Sequence, residues 1–162
     1  MKRASSGVDI GYNTELRIAI VVSTYHTAVT EGLRDGAMAV LREAGASDSQ
    51  VTCLPVPGAF EIPLVARVAA DSDRFDTVIC LGCIIRGETP HFEYLASAVA
   101  HGITQASQDT GVPMTFGVLT TNTYDEAVAR SGVGPENKGR EAAEAAVQLV
   151  RVVRGLTDTP SR

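Results

Sequence analysis

Thr77-Val78-Ile79-Cys80-Leu81-Gly82-Cys83-Ile84-Ile85, followed by Arg86-Gly87-Glu88-Thr89-Pro90-His91-Phe92-Glu93, is the stretch on which the fold turns. The first nine residues are apolar almost throughout, without the alternation of a half-exposed strand, so they read as a strand covered on both faces. Thr89-Pro90 then predicts a helix start, with threonine as N-cap and proline at the first helical position. Phe92, Leu95, Ala96, Val99 and Ile103 mark one face of that helix, which ends near Gly111-Val112-Pro113.

The same alternation extends outward in both directions. Upstream, Arg17 to Val22 is a β-branched run. It precedes a helical spacing of Val29, Leu33, Ala37, Val40, Leu41 and Ala44 that Gly45 stops. Val51 to Val56 reads as a strand, and Pro57-Gly58 turns the chain into a helix carrying Ile62, Leu64, Val65, Val68 and Ala69. Downstream, Met114 to Leu119 is a fourth strand, Tyr124 to Arg130 a short helix, and Gly139 to Leu156 a longer one with Ala143, Val147, Val150 and Val153 inward. Buried strands alternating with helices predict a three-layer α/β/α domain around a four-stranded parallel sheet. The expected division is an N-terminal arm over 1–15, a domain over 16–156 and a polar tail over 157–162. The arm is read as disordered or as an extra strand lent to a neighbouring subunit.

Composition excludes several classes. A chain of 162 residues, 44% hydrophobic and 20% charged, suits one domain that needs no disulfide or metal to hold its core. The net charge of −5 and the absence of a basic run argue against nucleic-acid binding. No apolar run, Ile18 to Val22 included, approaches the length needed to span a membrane, and the basic start leads into no apolar signal region, so a cytoplasmic location is expected. Cys80 and Cys83 form a C-x-x-C, but inside a strand they point to opposite faces and read as small buried hydrophobes, not a redox pair. His26, His91 and His101 lie in separate segments without metal-ligand spacing.

In a parallel sheet of this kind, ligands bind beyond the carboxyl ends of the strands, and four segments there carry chemistry. Ser23-Thr24-Tyr25-His26 offers an aromatic ring and an imidazole, although a tyrosine so placed is more often packing. Val56-Pro57-Gly58-Ala59-Phe60-Glu61-Ile62-Pro63 offers a close backbone approach, an aromatic ring and a carboxylate that would also suit a helix start. Gly82-x4-Gly87-Glu88-Thr89 mimics a phosphate loop but has glutamate where a triphosphatase needs lysine, so a phosphorylated small molecule on the Glu88 and Thr89 backbone is the better reading. His91, in the first helical turn, suits proton transfer or plain exposure about equally. In the fourth segment Phe116 would cap an aromatic ligand, and Arg130 and Lys138 would grip an anion. A single basic residue is more often solvated, so only the combination informs.

Val56 to Pro63, Gly82 to Tyr94, Phe116-Gly117-Val118-Leu119-Thr120-Thr121 and Asn137-Lys138-Gly139 resemble the 6,7-dimethyl-8-ribityllumazine synthase family of riboflavin biosynthesis, in order from about Leu16 to Leu156. The resemblance implies a flavodoxin-like fold. It also implies a condensation of 5-amino-6-(D-ribitylamino)uracil with 3,4-dihydroxy-2-butanone 4-phosphate, releasing phosphate and water, with no metal or organic cofactor. Carried across, Tyr25 would stack on the pyrimidine. Ala59, Phe60 and Glu61 would line the pyrimidine and ribityl site, and the backbones of Cys83, Ile84 and Ile85 would meet the heterocycle edge. Glu88 and Thr89 would hold the phosphate and His91 would transfer protons. Phe116, Arg130 and Lys138 would come from a neighbouring subunit. Tyr25 departs from the family's usual Phe or Trp, so its phenol needs a partner or water.

The resemblance also implies pentamers, which in some members assemble twelve at a time into an icosahedral shell. Seven residues between Arg130 and Lys138 match the short connection of shell formers, while Gly134-Pro135-Glu136 departs from their usual sequence. A shell has room for a cargo enzyme, with riboflavin synthase as the candidate. Two other readings stand beside this one. A non-catalytic flavin-binding or shell protein would not need His91, Arg130 and Lys138 together. An electron carrier would want a glycine in the Ser23 to Thr27 loop, which has none.

Overall fold

The computed structural model describes residues 16–157. The expected arm over 1–15 and all of the expected tail except Thr157 lie outside them. The elements run β1 (Ile18–Ser23), α1 (Thr27–Glu43), β2 (Val51–Val56), α2 (Ile62–Asp71), β3 (Thr77–Ile85), α3 (His91–Thr110), β4 (Met114–Thr121), α4 (Tyr124–Ala129) and α5 (Lys138–Thr157). All strand pairings are parallel, and the order is β2-β1-β3-β4. This is the three-layer, flavodoxin-like α/β/α architecture. The chain leaves β1 toward β2 and returns past it to β3, so the topological switch point lies between β1 and β3.

Alternation along the strands sorts the core into two layers. Ile18, Ile20, Ile79, Leu81, Cys83 and Leu119 face α1 and α5, whereas Ala19, Val21, Val78, Cys80, Ile84 and Val118 face α2 and α3. Cys80 and Cys83 thus sit on opposite faces, as strand geometry requires. Burial pushes their thiols up to about 12 and about 11 respectively. On the α1–α5 side the helices meet at small residues. A Cβ on Gly139 would lie 1.9 Å from the Leu33 carbonyl oxygen, so only glycine permits that crossing.

Four local expectations are corrected. α3 begins at His91, with Pro90 in the capping position and no side-chain cap, so Thr89 does not serve as N-cap. The core face of α2 is Ile62, Ala66, Ala69 and Ala70, whereas Leu64 and Val68 are exposed. The alanines let the helix settle close to the sheet, which turns the larger side chains out. β2 is an edge strand and only half-buried, where Pro55 is tolerated for its missing N–H. Near the end of α5, Val153 is only partly buried and Leu156 is exposed. No helix among the described residues is long and apolar enough to cross a membrane.

Candidate active site

The carboxyl ends of β1, β2 and β3 open into a cleft of ≈ 730 Å³, at the switch point where the topology requires one. From the β1 end come Tyr25 and His26, whose rings meet edge to face at 4.6 Å. His26 is held at φ 59, a left-handed conformation uncommon for a residue with a side chain. Backbone bonds set this turn against the next segment, with Thr24 N–H donating to Val56 O at 2.8 Å and Tyr25 N–H to Pro57 O at 3.1 Å. From the β2 end come Gly58, Ala59, Phe60 and Glu61. A Cβ on Gly58 would stand 3.0 Å from Glu61 Oε2, so the glycine leaves room for the carboxylate to fold back over the turn.

β3 supplies Cys83, Ile84 and Ile85 as the floor, the connection to α3 supplies Gly87 and Thr89, and α3 itself opens with His91. Tyr25 and Phe60 are more than 60% exposed, two aromatic faces standing free at the mouth of the cleft. Nine of the thirteen residues expected from the sequence therefore share one cleft: Tyr25, Ala59, Phe60, Glu61, Cys83, Ile84, Ile85, Thr89 and His91. Glu88 is exposed beside it and does not line it.

The remaining three sit elsewhere. Phe116, Arg130 and Lys138 line a groove of ≈ 480 Å³ along the open edge of β4, with α5 as its other wall. Arg130 Nη1 donates to Glu126 O at 2.9 Å, and Lys138 Nζ pairs with Glu141 at 2.6 Å. The two are linked through the backbone, where Lys138 N–H donates to Arg130 O at 2.8 Å. The buried Thr115 hydroxyl, in the same groove, has no hydrogen-bond partner among the described residues.

Two residues that organise these surfaces were not singled out from the sequence. Asn137 is 3% exposed, and its Nδ2 donates to the Gly32, Ser131 and Gly132 carbonyls while its Oδ1 accepts from the Gly139 and Arg140 N–H groups. It caps α5 and anchors the 131–137 connection; an asparagine just before a helical run was the available signal. Arg86 reaches Glu93, Asn122 and the ring of Phe92 at the base of α3. Its hydrogen bond to Glu93 holds that carboxyl below the usual carboxylate range. Arg86 lies inside the quoted stretch, but nothing in its spacing shows which neighbours it would meet.

Among the described residues no group of three or more His, Cys, Asp or Glu side chains is placed to hold a metal ion. The fold defines a flavodoxin-like α/β protein, with a cleft at the switch point of its sheet. The family model for 6,7-dimethyl-8-ribityllumazine synthase matches residues 15–154. A protein of that name from Syntrophus aciditrophicus is 48% identical over 141 residues, covering 87% of this chain and 92% of its own. One from Salinibacter ruber is 48% identical over 140 residues, covering 86% and 90%. The chain belongs to the 6,7-dimethyl-8-ribityllumazine synthase family.

Proposed function

We propose that this transferase condenses 5-amino-6-(D-ribitylamino)uracil with 3,4-dihydroxy-2-butanone 4-phosphate, through a site completed between two copies of the chain. The observation that carries the reading is the split just described. One cleft holds the aromatic platforms, the Glu61 carboxylate and His91, and a separate groove on the far edge of the sheet holds Phe116, Arg130 and Lys138. A second copy apposing its β4 edge to the cleft mouth would cover the pyrimidine and add two cations beside the start of α3.

In this reading Tyr25 stacks on the pyrimidine, Ala59 and Phe60 line its pocket, Glu61 accepts from a ribityl hydroxyl, and the Cys83, Ile84 and Ile85 backbones meet the ring edge. Thr89 and Glu88 backbone amides and the positive end of α3 take the phosphate. The 5-amino nitrogen adds to the ketone carbon, and the carbinolamine loses water to give an imine. Loss of the C3 proton then expels the C4 phosphate as inorganic phosphate, the resulting enol tautomerises to a ketone at C3, and the ribitylamino nitrogen adds to that carbonyl and closes the ring with loss of the second water. Holding two reactants together supplies most of the acceleration, and His91 moves the protons.

The assembly proposed is the pentamer, with the seven-residue Arg130 to Lys138 connection favouring closure into an icosahedral shell that has room for riboflavin synthase. The reading places the enzyme in the cytoplasm with its phosphorylated substrate, because a phosphate ester does not cross a membrane unaided. The test is to follow lumazine fluorescence against an enzyme-free control, with light scattering on the same sample. A rate well above control that falls, but not to background, in His91→Ala supports the reading. A rate equal to control, with riboflavin or the pyrimidine still bound, moves it to a non-catalytic binder. A monomer with full activity would end the shared-site proposal.

A further inference from the structure

We propose that Arg86 is a positioning residue for the lumazine-forming reaction: from the end of β3 it fixes the first turn of α3, and with it the aim of His91. The inference rests on the function proposed above. It starts from the uncapped helix start. No side chain caps α3, and within its first turn Phe92 packs partly buried against the core. Arg86 adds a polar tie from outside the helix. Its backbone N–H donates to Thr121 O at 2.8 Å, which fastens the residue to the end of β4. Its Nε donates to Asn122 Oδ1 at 3.0 Å, its Nη1 pairs with Glu93, and its guanidinium plane lies over the Phe92 ring at 4.4 Å. Phe92 lines the cleft, and Phe92 and Glu93 are the two residues that follow His91.

The arrangement holds orientation more than it adds stability. The Arg86–Glu93 pair is about half exposed on each side, and exposed ion pairs contribute little to folding. What the guanidinium provides is a rigid plane with donors on two edges, satisfied at once by α3 and by the residue after β4. Lysine keeps the charge but has neither the plane nor the fork. Rotating the first turn of α3 would swing His91 away from the reacting atoms without touching the pyrimidine platforms, which belong to other segments.

The experiment measures kcat and both KM values for Arg86→Lys and Arg86→Met, each alone and combined with His91→Ala. The expected result is a fall in kcat of about tenfold for both single variants, since small misplacements of a proton-transfer group are costly. KM for the ribitylaminouracil should stay unchanged. In the His91→Ala background the further loss should be no more than about twofold, because a residue that acts through His91 has nothing left to position. Full activity in Arg86→Lys, or equal losses in both backgrounds, would overturn the proposal. Hydrogen exchange supplies a readout independent of turnover: amides of residues 87–95 should exchange faster in Arg86→Met while the second half of α3 keeps its rate. Unchanged protection there overturns the positioning role. A parent protein that fails to accelerate lumazine formation refutes the proposed function instead, and exchange alone then decides on Arg86.

Discussion

Replacing Asn137 with alanine removes one side chain that holds three segments at once. Its Nδ2 lies 2.9, 3.0 and 2.9 Å from the Gly32, Ser131 and Gly132 carbonyls, and its Oδ1 lies 2.8 and 3.2 Å from the Gly139 and Arg140 nitrogens. The amide has two hydrogens, so the three carbonyls share two donors, worth about 1 kcal/mol each when lost. Losing the helix cap costs about another 1 kcal/mol, and the site is too buried for water to substitute freely. The expected destabilisation is roughly 3–4 kcal/mol, or a fall in Tm of about 6–15 °C for a chain of this size. Urea unfolding followed by circular dichroism measures it, at one fixed protein concentration because assembly shifts apparent stability. Asn137→Asp keeps the cap acceptor but turns a carboxylate toward three carbonyls, so it should be no more stable than the alanine variant. A loss below about 1 kcal/mol in Asn137→Ala would refute the claim that this side chain anchors the connection carrying Arg130 and Lys138.

Arg130→Ala should lower kcat/KM for the butanone phosphate by about 10- to 100-fold, the usual worth of a charge-assisted contact, and an unchanged KM for that substrate would sink the phosphate assignment. At pH 8 the native protein should react with a thiol reagent at Cys53 alone, since burial pushes Cys80 up to about 12 and Cys83 up to about 11, and all three should react in denaturant. Rapid native labelling of a second cysteine would contradict this. For Asp76, burial alone would raise the carboxyl, but the Arg17 side chain and N–H, with Arg154 nearby, hold it below the usual range. A depressed folded pKa means the contribution is complete above the unfolded value of about 3.9 and is lost as pH falls through the lower folded value. Asp76→Asn should therefore lower stability at neutral pH and flatten its acid slope, as denaturant midpoints from pH 7 down to pH 2 would show.

What the sequence determined by itself was local. An unbroken apolar run such as Thr77–Ile85 has to be covered on both faces, and helical spacing broken by glycine and proline sets where the other elements start and stop, so the parallel α/β architecture was legible. The chemistry-bearing segments were legible too, because they follow the strands. Strand order was not, since it depends on pairings between residues far apart in the chain, and it alone brings Tyr25, Glu61 and His91 to one cleft while sending Phe116, Arg130 and Lys138 to the opposite edge. Periodicity also failed where packing distance decides. The alanines of α2 approach the sheet and leave Leu64 and Val68 outside, although the spacing placed both on the packing helix. Arg86 and Asn137 act across 36 and 105 positions of the chain to reach Asn122 and Gly32, and contacts of that range exist only once the layers have packed.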